Sequence, residues 1–422
     1  MIEESIKKFL SWLRDYGYCS YDHFDFWGSR LGIFTKRAWH SPPTAADGKQ
    51  SARRAIKSFD QTFSKVWPPA GPPEAKAKKI LAAPLVLLLQ VLESFFPRSR
   101  ILFAKKRRFA IGDAHFVLGF INLYKYYHDP VYKDKAEEIL QEISSYATVT
   151  PSGIGWGYPY TWATGRAVYP PGTPFITITP YCFDAFLAMY DITGEKKYLD
   201  TAAQIARFAA NDLNETVISG TETAVSYSPI DNSRVINASA YRAALLLKGF
   251  ELFGIPEYKE KAVKNINFVL NQQQADGSWH YAVNERFIDN FHTCFVLKNL
   301  YKAYLILKDE RILKAVKKGY EYYRRFLSRK DLTPIHLKSI NHKFRKIEMY
   351  DYAEGIALGP LLNPDIDGAL DFSLQLAQHL IETFQLKKGY FVTRVTTLNT
   401  RNKVPYLRWP QAQLFNALTT LL

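Results

Sequence analysis

Asp289 and His292 stand three positions apart in the stretch ADGSWHYAVNERFIDNFHTC, residues 275–294. At a helix start that spacing puts the two side chains on one side. A carboxylate beside an imidazole orients the ring and raises its basicity, so the pair reads as a general acid or base. Asp113, Asp351, Tyr352 and Glu354 stand near the starts of other apolar segments and suit the same work. Two chemistries are open to such a set. Two carboxylates flanking a glycosidic bond would hydrolyse it. A Tyr or His base, with a cation neutralising a uronic acid carboxylate, would epimerise or eliminate.

Residues suited to binding come from the same places. His115, Tyr241, Arg408 and Trp409 lie at or just inside apolar segments. GWGYPYTW (155–162) supplies Trp156, Tyr158, Tyr160 and Trp162, whose flat faces could stack on a sugar ring. Trp279 and His280 follow the turn signal Asp276-Gly277 and read with Tyr281 as a short strand. NHKFRK (341–346), Arg394 and Arg401 add positive charge. The plainer reading of Thr179, Asn237, Asn290 and Asp289 is that they cap helices. His292 and Cys294 do not form a zinc pair, because positions i and i+2 of a helix do not face each other. Phosphate-binding, dinucleotide and nucleophile-elbow glycine motifs are absent from the sequence, so neither metal nor cofactor is expected.

These residues need a scaffold that brings distant segments together, and the chain repeats itself in a way that supplies one. Charged, amphipathic segments recur at DPVYKDKAEEILQEI (129), EKKYLDTAAQIARFA (195), IPEYKEKAVKNINFVL (255) and DERILKAVKKGYEYYRRFL (309). A more apolar segment precedes each, starting at 112, 179, 237 and 290, and two more follow at 349 and 408. Helices that are apolar all round belong inside and amphipathic ones outside. Six such hairpins bury their inner faces by closing on themselves. The expected fold is therefore all-α, an (α/α)6 toroid with short β-hairpins in the loops at its mouth. The long outer-to-inner connections (147–178, 213–236, 273–289, 328–348 and 386–407) all emerge on the face that carries the inner-helix N-termini. The sixth inner helix lacks an outer partner. Residues 1–110 are expected to pack on the barrel of residues 111–422 and close it, through either SARRAIKSFDQTFSKVW or the apolar run 80–96. WPPAGPPEAK (67–76) and HSPPTAADGK (40–49) read as turns or linkers.

Composition bounds the rest. The chain has 422 residues, 47% apolar and 15% aromatic, ample for a large core. Three scattered cysteines imply no disulfide framework. The N-terminus lacks a signal-peptide pattern. ILAAPLVLLLQVLESFF (80–96) is too short and too interrupted by Pro84, Gln90 and Glu93 for a bilayer span. The expected location is cytoplasmic, with contact to the inner-membrane surface left open by the basic flanks of that run. A net charge of +15 favours anionic partners. Nucleic acid is not among those expected, since no nucleic-acid module is recognisable.

DGSWHY followed by IDNFHTCFVLKNLY resembles a group of bacterial and archaeal six-hairpin glycosidase-like proteins associated with exopolysaccharide and capsule biosynthesis. GYCSYDHFDFWGSRLG resembles that group's Gly-Tyr-Asp-Pro-Tyr-Asp segment, with Cys19 and Ser20 replacing Asp-Pro while Tyr21 and Asp22 remain. LRWPQAQLFNALT resembles its closing Arg-Trp-x-Gln-Ala helix. More distantly, the Gly/Trp/Tyr loops resemble the helical domains of glucuronyl C5-epimerases and (α/α) polysaccharide lyases. The resemblance implies a carbohydrate-active protein of surface polysaccharide production, binding and processing an acidic glycan. It settles neither the reaction nor the catalytic residues. The rival expectation is a non-catalytic glycan-binding or assembly factor of a polysaccharide synthesis complex.

Overall fold

The computed structural model describes residues 1–39, 73–164, 167–338, 346–396 and 398–422. Four helices come first: α1 (Ile2–Tyr16), α2 (Asp25–Gly28), α3 (Arg30–Trp39) and α4 (Pro73–Phe95), the last followed by a 3-10 turn, Pro97–Leu102. Inner and outer helices then alternate: α5 (Ala110–Tyr127), α6 (Pro130–Ser145), α7 (Thr179–Thr193), α8 (Lys196–Asn211), α9 (Ile236–Phe253) and α10 (Pro256–Asn271). They continue through α11 (Asn290–Leu307), α12 (Glu310–Phe326), α13 (Met349–Leu362), α14 (Ala369–Phe384) and α15 (Ala412–Thr419). The odd-numbered members from α5 onward are buried nearly all round. The even-numbered ones bury one stripe, as Ile312, Val316, Tyr320 and Tyr323 do in α12. The molecule is an (α/α)6 toroid.

Each of the first four inner helices turns into its outer partner in the same way. A left-handed residue ends the helix (His128, Gly194, Gly254, Lys308), and the outer helix starts two residues later. Asp129 and Asp309 cap the outer helices α6 and α12.

The ring is closed by α1. Phe9 stacks on Phe415 of α15 with ring centroids 5.5 Å apart, and Gln385 at the end of α14 donates to the Ser5 carbonyl at 3.0 Å. The run 80–96 does not take that place. It forms the second half of α4, whose Val86 and Leu89 pack with Phe26 and Trp27 into a separate small core. Residues 51–67, like 40–49 and most of 67–76 and 341–346, lie outside the described residues.

The outer-to-inner loops hold two-residue and longer antiparallel hairpins, such as Thr148–Val149 with Ile154–Gly155 and Glu215–Ser219 with Glu222–Val225. Three loops share a tighter corner, closed by single bridges between Gln273 and Trp279, Ser328 and Pro334, and Gln385 and Phe391. Each carries a left-handed residue at the same place, Gly277, Leu332 and Gly389. Gln273 and Gln385 make the same hydrogen bond, to the carbonyls of Gly277 (3.0 Å) and Gly389 (2.8 Å). The Asp-Gly turn at 276–277 is thus one copy of a repeated corner. Trp279 fills it: the indole Nε1–H donates to the Val269 carbonyl at 2.9 Å, and the ring lies against Gly319 of α12. A Cβ at position 319 would meet the ring at 2.4 Å. Gly319→Ala should therefore cost about 1–3 kcal/mol in urea unfolding and shift the tryptophan fluorescence. Unchanged stability would mean that Trp279 is loosely held.

Candidate active site at the mouth of the toroid

Asp289 is both cap and partner. It precedes α11, its Oδ1 accepts from the His292 backbone N–H at 3.0 Å, and its Oδ2 lies 2.6 Å from His292 Nδ1. One carboxylate thus caps the helix and holds the imidazole. A carboxylate only accepts, so Nδ1 carries the hydrogen and Nε2 is the basic nitrogen. The His292 side chain is one-fifth exposed, whereas Asp289 is buried. A cavity of about 10 Å³ between Asn237, Tyr281, Asp289 and His292 has room for about one water.

A second pair stands beside the first. Asp351, in the first turn of α13, is fully buried and lies 2.9 Å from His336 Nδ1. Burial pushes its carboxyl up to about 6, against the opposing pull of His336. Backbone hydrogen bonds hold the two pairs together: the Asn290 N–H donates to the His336 carbonyl, and the Lys338 N–H donates to the Ile288 carbonyl, each at 3.0 Å. The Phe291 ring lies between the imidazoles, with centroids 4.2 Å from His292 and 5.7 Å from His336. Trp409, half-buried, packs edge-on to Phe291 at 5.2 Å and stacks flat on Tyr350 at 3.6 Å.

Deeper along the axis lie His115, Tyr241 and Glu354. The Tyr241 and Tyr181 hydroxyls are 2.6 Å apart, and the His115 ring packs on Tyr181 at 4.5 Å. Glu354 is paired with Lys298 of α11 at 2.5 Å, both nearly buried. Burial alone would lower the Lys298 ammonium, but Glu354 holds it above its usual range. Burial, then Lys298 and Lys302, push His115 well below its ordinary value, so its imidazole is neutral. Beyond the tyrosine pair a cavity of about 470 Å³ runs between α7, α9 and α11 towards their C-terminal ends, with Lys298 among its lining residues.

Of the remaining candidates, Trp279 and His280 line the small cavity beside His292, and the others are held by partners of their own. The Tyr352 hydroxyl reaches His379 of the outer helix α14 at 2.7 Å, so Tyr352 is outside the site. Asp113 is buried against Arg108 (2.9 Å) and the Tyr146 hydroxyl (2.5 Å) at the end of α6. Trp156 is fully buried, its Nε1–H donating to the Ile143 carbonyl at 2.8 Å. Trp156 and Trp279 are therefore packing groups and not stacking platforms. Arg408 is spent on Asp22: its Nε and Nη2 donate to the two carboxylate oxygens at 2.5 and 2.8 Å, with both residues buried. The Tyr160 hydroxyl donates to the same carboxylate at 3.1 Å. Tyr158 stacks on Tyr160 and lies against Arg408 and Trp162, forming a wall next to Trp409. Tyr158, Trp162 and His280 are half-buried. Arg394 pairs with Glu348 at 2.5 Å, whereas Arg401 is exposed.

Asp22, His336 and Lys298 are the residues that sequence reasoning missed. Lys298 carried a signal, a lone cation inside the apolar run NFHTCFVLKNLY. Asp22 stood in the segment that carried the family resemblance. His336 lies in a loop without periodicity and carried none. Among the described residues, no group of three or more His, Cys, Asp or Glu is arranged to hold a metal.

Burial also raises Asp113 to about 6, opposed by Arg108. A carboxyl raised on folding contributes stability below its unfolded value of 3.8, lost as the pH rises through about 6. Wild type should therefore lose about 3 kcal/mol relative to Asp113→Asn between acidic and neutral pH. Parallel unfolding curves for the two proteins at all pH values would show instead that Arg108 fully compensates the burial.

No known sequence family matches the chain, and no curated protein does at a significant level. Solved structures do. An unsaturated glucuronyl hydrolase specific for heparin is 12% identical, with TM-score 0.56 over 73% of this chain and 85% of its own. The cellobiose 2-epimerase of Bacillus thermoamylovorans is 11% identical, with TM-score 0.57 over 74% and 87%. A GH76 α-1,6-mannanase of Salegentibacter is 14% identical, with TM-score 0.53 over 76% and 90%. These likenesses show the fold, that of the (α/α)6 toroids.

Proposed function

We propose that the protein is a carbohydrate-active enzyme that moves a proton on an acidic sugar at the mouth of the toroid, by epimerisation or β-elimination. One observation carries this reading: two imidazole–carboxylate pairs, His292–Asp289 and His336–Asp351, lie side by side at adjacent inner-helix starts. Epimerisation needs one group to take the proton from the carbon beside the carboxylate and another to return a proton on the opposite face. Elimination needs a base for the same proton and an acid for the departing glycosyl oxygen. Hydrolysis needs two carboxylates flanking the glycosidic bond. Here the candidate carboxylates are committed, Asp289 and Asp351 to histidines and Glu354 to Lys298. The net charge of +15 and the exposed Arg286 and Lys338 beside the two pairs favour an anionic substrate. Toroids of similar fold include enzymes named for a glucuronyl sugar and for epimerisation, which supports the same class. A place in surface polysaccharide production rests on the resemblance of the DGSWHY, GYCSYD and LRWPQAQ segments.

The test is incubation with glucuronic acid oligosaccharides in heavy water, read by mass spectrometry. Solvent deuterium in the recovered glycan, or an unsaturated product, is the expected result. Shorter saturated products without deuterium on carbon would make the protein a hydrolase. A glycan bound and released unchanged would make it a binding module.

A further inference from the structure

The helix α4 is apolar on two opposite faces. Ala82, Val86, Leu89 and Glu93 form the inward face, all buried. Pro84, Leu88, Val91 and Phe95 repeat at the same spacing about half a turn away; Pro84, Leu88 and Phe95 are exposed and Val91 is half-buried. The exposed face continues into the 3-10 turn that follows. Phe96 is 59% exposed, Ile101 66% and Leu102 84%, the largest exposure among the described large apolar side chains. An amphipathic helix on a toroid presents charge to water. This one presents Leu and Phe.

The charges around the turn have one sign. Residues 94–112 contain six cations and no carboxylate, and Arg98, Lys105 and Lys106 among them are exposed. The nearest acid upstream, Glu93, is buried and ion-paired with Arg100. Exposed Leu, Ile and Phe at the tip of a turn, flanked by exposed cations, match an anionic bilayer surface, where apolar tips enter the acyl boundary and cations meet phosphates. No helix of the described residues is long and apolar enough to cross a membrane, so the contact is with the surface.

We propose that the exposed face of α4 and the Pro97–Leu102 turn dock the protein on a membrane surface rich in anionic phospholipid. This surface is separate from the histidine pairs and does not depend on the reaction proposed for them.

The test is co-sedimentation of the full chain with vesicles of phosphatidylcholine alone or mixed with phosphatidylglycerol. Binding is expected to the mixed vesicles and to weaken as salt is added. Ile101→Asp with Leu102→Asp, and separately Arg98→Glu with Lys105→Glu, should each weaken it at least about tenfold. All four side chains are exposed, so the thermal unfolding of both variants should match wild type. Failure of the wild type to bind mixed vesicles overturns the proposal, as does binding that neither variant reduces. Self-association of the wild type, lost in the Leu102 variant and without vesicle binding, would assign the face to a second copy of the chain.

Discussion

His292→Ala should lower turnover of the acidic glycan by about 10²–10⁴-fold, the usual contribution of a positioned acid or base. Substrate affinity should change little. The informative companion is Asp289→Asn. Asparagine caps a helix as well as aspartate does, so α11 keeps its start and the protein its stability. What is lost is the charge that orients the imidazole across the 2.6 Å contact. The variant should lose turnover with an unchanged urea midpoint. The second pair gives the profile its pH dependence. With the Asp351 carboxyl at about 6, turnover should rise through that pH as the carboxylate forms, and Asp351→Asn should remove this limb. Full turnover in His292→Ala would remove the pair from the chemistry and leave the corner of residues 275–294 a matter of packing.

Asp22→Ala should cost about 3–5 kcal/mol of stability, more than is expected of Gly319→Ala. Burial alone would raise the Asp22 carboxyl, but Arg408 holds it well below the usual carboxylate range. Without it the guanidinium stays buried among Phe24, Phe109, Tyr158 and Trp409 with no counter-charge. Adding Arg408→Met to Asp22→Ala should recover much of the loss, because an apolar pair of similar volume carries no desolvation cost. Denaturant unfolding of the single and double variants measures both numbers. If the double variant is no more stable than the single, the pair contributes attraction beyond the repair of a buried charge.

The hairpin repeat was legible in the sequence because it rests on periodicity, and periodicity follows from burial. Inner helices such as GDAHFVLGFINLYKYY differ from outer ones such as ERILKAVKKGYEYYRRF in how much of their circumference is apolar. The element that closes the ring was not legible, because strength of hydrophobicity is no measure of depth of burial. The 80–96 run is the more apolar, yet the weaker stripe of α1, with Ile6, Phe9 and Leu13, is the one that is buried on the barrel. For the candidate site, Asp289 and His292 were readable because one helix turn spans both. The His336–Asp351 pair was not, since fifteen residues and a loop separate its members. Arg408 was visible as a cation at a helix start, but Asp22, which neutralises it, lies 386 positions away.

That separation has a consequence for how the molecule assembles. The contacts of Asp22 with Arg408 and of Ser5 with Gln385 join the two ends of the chain. Closing a loop of that length costs about 5 kcal/mol of chain entropy before any contact repays it. Hairpins made of neighbouring segments form on much shorter loops, so closure of the ring is the expected slow event. Until it occurs, an arc of finished hairpins presents its apolar inner helices to solvent at both open edges. Such an arc is the species on which a chaperone would act, and the one most prone to join another arc in place of its own end.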